Sequence, residues 1–258
     1  MRLEILERIA SQQSHTTPLL FVHGAFYGAW CWERFLSYFA QHGYATYAVS
    51  LRGHGHSDGN IRTASMRDYA EDVAAAAAKL PSPPVLIGHS MGGRITQKVL
   101  ETHPETPGAV LLASIPHTGF IAMTFRFLWQ MPGPFLRSLL KNSPYELIKT
   151  PELARERFFS ESMSDEELNG YFKQLQEESP LAARDTFFYL PKPERITSPV
   201  LLLAATHDTM TTAKEQRAMA KAYGVEAEFF DMAHAMMLEP RWQDVADRII
   251  HWLSTLGL

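Results

Sequence analysis

The chain has 258 residues, of which 46% are hydrophobic and 20% charged, a balance that excludes a disordered chain and fits a globule of one or two domains. Lys and Arg number 24 against 28 Asp and Glu, a net charge of −4, which argues against a nucleic-acid partner, because such a partner needs a basic face. The single cysteine, Cys31, excludes an internal disulfide and a cysteine-based metal cluster, and it fits a reducing, cytoplasmic compartment. The first ten residues carry Arg2, Glu4, Glu7 and Arg8 and do not read as a secretion signal. No uncharged apolar run reaches the ~18 residues of a membrane span.

Short, nearly continuous apolar runs at 19–22, 44–49, 85–87 and 109–113 predict strands buried on both faces of a parallel sheet. Between them, Trp32, Phe35, Leu36 and Phe39 recur at helical spacing in 29–42, with Gly43 as the stop. Tyr69, Val73, Ala76 and Leu80 do so in 66–80, and Ile95, Val99 and Leu100 in 91–103. Such strand–helix alternation implies right-handed crossovers and a doubly wound, mostly parallel α/β sheet. From 116 to 195 the rhythm breaks. This stretch is rich in Phe, Met and Pro, has helical periodicity at 152–160 and 165–177, and reads as a helical insertion. The first pattern then returns, with strands at 200–205 and 227–231 and helices at 213–223 and 241–256. The expected organisation is a core of 1–115 and 196–258, with 116–195 as a helical cap.

The sharpest local feature is Gly88-His89-Ser90-Met91-Gly92, directly after one predicted strand and directly before one predicted helix. The pattern G-x-S-x-G in this setting describes a nucleophile elbow, a turn so tight that the serine is strained and its hydroxyl stands out at the sheet edge. A serine needs a base and an orienting acid. Asp208 follows the strand at 200–205 and His234 follows that at 227–231, so both fall on loops at the edge where Ser90 stands. Asp231, His207 and His251 are the rivals. Asp231 ends a strand and is expected to satisfy local backbone donors, His207 to point elsewhere, and His251 to lie on the closing helix. An acyl-transfer site also needs two backbone N–H groups for an oxyanion. Met91 follows the nucleophile, and the loop His23-Gly24-Ala25-Phe26 supplies the other, with Ala25 the candidate and Phe26 the fallback. His23 is expected to pin that loop. The stretch from Arg52 to Gly59, with His54 and His56, lacks a third metal ligand or a phosphate-binding lysine and reads as a structural loop.

With these motifs the chain resembles the α/β-hydrolase superfamily over nearly its whole length. Gly88 to Gly93 resembles its nucleophile elbow, Arg52 to Ser57 the loop after its second main strand, and Asp208 and His234 its acid and base. The insertion 116–195 is similar to its helical cap. Residues 23–32 (HGAFYGAWCW) are similar to the oxyanion loop of plant methylesterases and hydroxynitrile lyases. The resemblance implies serine-based hydrolysis. Dehalogenases and epoxide hydrolases of this fold attack with aspartate where this chain has Ser90. The lyases carry threonine and lysine where it has Ala25 and Ala235.

The expectation is therefore a serine esterase acting on a small to medium apolar ester, with no cofactor, no metal, and a small-molecule acyl substrate as its partner. A thioesterase, an amidase, a C–C bond hydrolase, or a non-enzymatic receptor on the same fold are the alternatives. The cap holds nine of the 15 Phe, expected mainly in its own core and its seam with the sheet. The pairs Arg126/Arg137 and Arg155/Arg157 are expected on solvated helix faces.

Overall fold

The apolar runs build one seven-stranded sheet in the order β1-β3-β2-β4-β5-β6-β7. The computed structural model describes residues 1–12 and 14–258. The strands are β1 (Ile5–Arg8), β2 (Leu19–Val22), β3 (Thr46–Val49), β4 (Val85–His89), β5 (Ala109–Leu112), β6 (Val200–Ala205) and β7 (Ala227–Phe230). All neighbours pair in parallel except β1, which runs antiparallel to β3 with Ile5 opposite Val49. β1 was not expected from the sequence. It is an edge strand with Glu7 and Arg8 exposed, so it lacks the continuous apolar run that marks its buried neighbours.

Helices α1 (Glu33–Gln41), α2 (Met66–Ala77) and α3 (Met91–Leu100) alternate with the first strands. The expected helix at 29–42 is split, since Ala29–Trp32 forms a tighter 3₁₀ turn ahead of α1. α2 stops short of residue 80, ahead of a Pro-rich turn, and begins at a capping box between Ser65 and Asp68. Five helices lie between β5 and β6: α4 (Ile121–Gln130), α5 (Pro132–Lys141), α6 (Pro151–Phe158), α7 (Asp165–Phe172) and α8 (Pro180–Asp185). Proline opens α5, α6 and α8, where its missing N–H costs no intrahelical bond. α4 and α5 were not foreseen. On α4 apolar residues lie on both the buried and the exposed side, which leaves little contrast to read. α9 (Ala213–Tyr223) ends at Gly224 in the left-handed conformation, and α10 (Trp242–Thr255) closes the chain.

Strand alternation divides the interior into two cores. Leu19, Phe21, Val85, Ile87, Leu201 and Leu203 point to α1 and α10. Leu20, Val22, Leu86, Leu111 and Leu202 point to α2, α3 and α9. Helices on both faces are what a doubly wound sheet requires. The chain passes from β2 to β3 on one side, then returns to β4 on the other. The helices that follow β2 and β4 therefore pack on opposite faces of the sheet, while the loops that lead into them meet at its C-terminal edge.

The insertion is fastened to the sheet by Arg94 of α3. Its guanidinium is fully buried and donates to the carbonyls of Pro116 (2.8 Å), Thr186 (2.8 Å) and Tyr189 (3.3 Å). One side chain thus holds both ends of the 116–195 segment. Burial pulls the Arg94 pKa down to about 10, so it remains a cation at neutral pH. Two expectations for arginines fail. Arg157 is buried and binds Gln130 and Glu156, and Arg126 bonds the Met210 carbonyl and Glu215. The guanidinium fork reaches carbonyls and carboxylates on neighbouring elements, which helix periodicity does not register.

Candidate active site

The elbow forms between β4 and α3. Ser90 sits at φ 52°, ψ −116°, a strained conformation for a residue with a Cβ. The fold holds it from both sides. Its N–H donates to Leu112 O (3.0 Å), and its carbonyl accepts from Arg94 N and Ile115 N. The flanking glycines are required by close approach. A Cβ on Gly92 would lie 2.3 Å from Val22 O, and one on Gly88 would lie 2.4 Å from Thr96 Oγ1. Gly93 belongs to the same set, with Ser114 Oγ 2.4 Å from its would-be Cβ.

Three distant positions converge at this edge. Ser90 Oγ is 2.9 Å from His234 Nε2, and His234 Nδ1 is 2.8 Å from Asp208 Oδ2. The His234 and Asp208 side chains are each 1% exposed, and Ser90 is 7% exposed. Asp208 also accepts from Met210 N (2.7 Å), Thr211 N (2.9 Å) and Thr211 Oγ1 (2.7 Å), so both oxygens are held and the carboxylate can only face the imidazole one way. With Asp208 accepting from Nδ1–H, the bare Nε2 faces the Ser90 hydroxyl. Phe158, at the end of α6, stacks over the imidazole at 6.0 Å, and its carbonyl accepts from Ala235 N.

The rivals lie elsewhere. His207 Nε2 is 2.7 Å from Asp231 Oδ1, and both line an open groove of about 860 Å³ with Arg155 and Asp165. Asp231 therefore meets an exposed imidazole, not the backbone donors expected of it. The strand ends one residue earlier, at Phe230, so its side chain is free to turn outward. His251 is exposed on α10.

The loop after β2 lies against Ser90, since a Cβ on Gly24 would be 3.1 Å from Ser90 Cβ. Among the described residues the N–H groups of Ala25 and Met91 have no partner within the chain, whereas Phe26 N–H donates to Glu178 Oε2 at 3.3 Å. The fallback donor is thus already engaged. His23 pins the loop as expected. Its Nε2 accepts from Leu51 N (3.0 Å), so Nδ1 carries the proton donated to the Gly24 carbonyl (2.8 Å). Burial, and then the nearby His54, push the His23 pKa well below the usual imidazole value.

Two supports were missed in the sequence. His89, read only as the variable residue of the elbow, is buried and donates from Nε2 to the His234 carbonyl at 2.9 Å. It holds the backbone of His234, and burial pushes its own pKa well down. Glu178, 2% exposed, accepts from Phe26 N, Ser179 N (2.6 Å) and Tyr69 OH (2.9 Å), and its Oε2 lies 3.2 Å from His54 Nε2. Burial beside this carboxylate raises the Tyr69 pKa, so Tyr69 stays a donor. The loop from Arg52 to Gly59 is structural. Arg52 makes a bidentate pair with Asp72, and His54 and His56 face different carboxylates, Glu178 and Glu4.

The fold and this constellation define a class of α/β proteins with a strained serine at a strand–helix elbow and an imidazole–carboxylate pair beside it. The alpha/beta hydrolase family model matches residues 19–248, and the chain belongs to that family. It is 25% identical to methylesterase 18 of Arabidopsis thaliana over 167 residues, 55% of this chain and 61% of that protein. It is 37% identical to the non-heme chloroperoxidase of Streptomyces lividans over 102 residues, 38% of this chain and 37% of that protein. The chain thus spans less than two thirds of the length of these curated relatives. A thermophilic esterase from Thermogutta terrifontis shares the fold with a TM-score of 0.75 at 19% identity, over 99% of this chain and 94% of that one. The enol-lactonase from Burkholderia xenovorans LB400 does so with a TM-score of 0.74 at 16% identity, over 98% and 97%.

Proposed function

We propose that the chain is a cytoplasmic serine esterase that hydrolyses a small to medium apolar carboxylic ester through an acyl-enzyme. The observation that carries this reading is the unbroken relay from Asp208 through His234 to Ser90, at 2.8 and 2.9 Å. His234 Nε2 takes the Ser90 proton as Oγ attacks the acyl carbonyl, and Asp208 steadies the imidazolium that forms. The Ala25 and Met91 N–H groups receive the oxyanion. His234 then gives its proton to the leaving alcohol. Water repeats the sequence, and the acid leaves with Ser90 restored. Phe158 packs beside the imidazole, and Phe26 and Tyr27 pack against Phe158, which supports an apolar acyl or alcohol group. Residues 116–195 act as the cap over this edge. The name of methylesterase 18 agrees with ester cleavage, and the buried free thiol of Cys31 agrees with a reducing compartment.

The test is labelling with a fluorophosphonate together with turnover of a p-nitrophenyl ester series from acetate to decanoate. Ser90→Ala is expected to abolish labelling and to cut turnover by about 10⁴-fold or more, with the unfolding temperature unchanged. Labelling of Ser90 without turnover of any ester would make the chain a receptor and end the esterase reading.

A further inference from the structure

The described exposed large apolar side chains are not scattered. Seven of the eleven lie on α4 and α5, two helices joined through Met131. On α4, Ile121, Phe125, Leu128 and Trp129 recur at i, i+4, i+7 and i+8 and face outward, while Met123 and Phe127 face inward. The helix is apolar all round, a pattern that water alone does not favour on a surface. On α5, Leu136, Leu139 and Leu140 face outward. Trp129 is 89% exposed, the most exposed of these side chains.

Charge decides what covers this face. Residues 116–145 contain no Asp or Glu, in a chain whose net charge is −4. The cations among them are Arg126, Arg137 and Lys141. Arg126 is folded back onto Met210 O and Glu215, which leaves the outer face of α4 uncharged. Arg137, Lys141 and Lys149 share the single carboxylate of Glu146, so that cluster keeps a net positive charge. Arg62 and Arg184 stand with Phe120, Phe135 and Leu139 around a cavity of about 400 Å³ beside the two helices, and among the described residues neither makes an ion pair. A second copy packed face to face would set these like charges against one another. An anionic lipid surface instead satisfies both features, taking the apolar side chains at the acyl boundary and the cations at the headgroups.

We propose that the α4–α5 hairpin is a docking surface for anionic lipid bilayers, with Trp129 as its deepest-seated residue. Resting on the esterase reading, it follows that the substrate is an ester that partitions into lipid. The docking itself stands apart from catalysis and is measured on the Ser90→Ala chain, so failure of either idea is seen separately. That chain is mixed with phosphatidylcholine vesicles with and without phosphatidylglycerol, and with brominated lipid. Tryptophan emission should shift to the blue and be quenched by brominated lipid, and Trp129→Phe should remove the response. Trp129→Ser with Leu140→Ser should weaken partition about ten-fold or more. Arg137→Gln with Lys141→Gln should weaken it about five-fold per charge, on anionic vesicles only. All these positions are exposed, and an unchanged unfolding temperature verifies each variant. Absence of vesicle binding overturns the proposal. So does a dimer in sedimentation that shields Trp129 from an aqueous quencher, because the face is then a contact between copies.

Discussion

At the scale of single residues, the site depends on two imidazoles whose protonation burial disfavours. His23 fixes the Gly24 carbonyl and His89 fixes that of His234, each through one protonated nitrogen. Both have pKa values lowered mainly by burial. A lowered value means that the unfolded chain takes up protons the folded chain refuses. Their contribution to stability is therefore complete above about pH 6.5 and is lost as pH falls below it, at about 1.4 kcal/mol per group per pH unit. Thermal unfolding between about pH 7 and pH 5 measures this. His89→Gln should flatten the dependence by about one proton, whatever it does to stability at pH 7, and an unchanged slope would show that His89 is not neutral in the fold. Ser90 is another residue whose backbone is held in place by its surroundings, and its strain was legible in the sequence. Glycines at 88 and 92 make sense where a Cβ would come within 2.4 Å of a neighbouring atom.

At the scale of elements, each loop of the site is set by the end of a strand and held by something from the insertion. Arg94 is the clearest link. Its fork satisfies three carbonyls from the two ends of 116–195, and removing it leaves them buried without a donor. Arg94→Met should lower stability by about 3 kcal/mol. Limited proteolysis should then cut first inside 117–190. If the unfolding midpoint and the cleavage pattern stay as in the native chain, the two ends are held by packing alone. The strands and their flanking helices were legible because period two and period 3.6 are local properties. The boundaries moved by a few residues where a 3₁₀ turn or a Pro-rich turn intervened. α4 was not legible, because Met123 and Phe127 face inward while Phe125 and Trp129 face outward, and all four are apolar. The expectation that the aromatic residues of 116–195 lie mainly in its core and seam holds for most of them, and the same ambiguity hid the exceptions. Phe127, Phe158 and Phe159 lie there, but Phe125, Phe188 and Trp129 do not.

At the scale of the whole molecule, Glu178 joins parts of the chain that are otherwise independent. It receives the N–H of Phe26 from the loop beside Ser90, the hydroxyl of Tyr69 from α2 and the N–H that opens α8, and it faces His54. Gln176, two residues earlier, bonds Phe26 O, Gly53 O and Gly55 N. The insertion thus grips both the loop after β2 and the loop after β3. We expect Glu178 to be a positioning residue. Glu178→Gln presents an amide N–H₂ to donors and should lower kcat by on the order of 10- to 100-fold through a misplaced Ala25 N–H, with KM little changed. A variant that melts earlier but keeps its kcat would assign Glu178 to stability alone.

Read by itself, the amino-acid order determined the class of sheet, the elbow, and the three side chains that meet at 2.8 and 2.9 Å. It could do so because every parallel strand delivers its following loop to one edge, and chain order alone then places Ser90, Asp208 and His234 together. Only the tertiary structure decided the rest: the Glu178 hub, the Arg94 fastening, the support of His234 by His89, and which face of α4 meets water. Each of these depends on contacts between positions far apart in the chain, or on which side of an apolar helix a neighbour covers. Neither leaves a periodic trace, because a hydrogen bond between residues 26 and 178 constrains no residue adjacent to either.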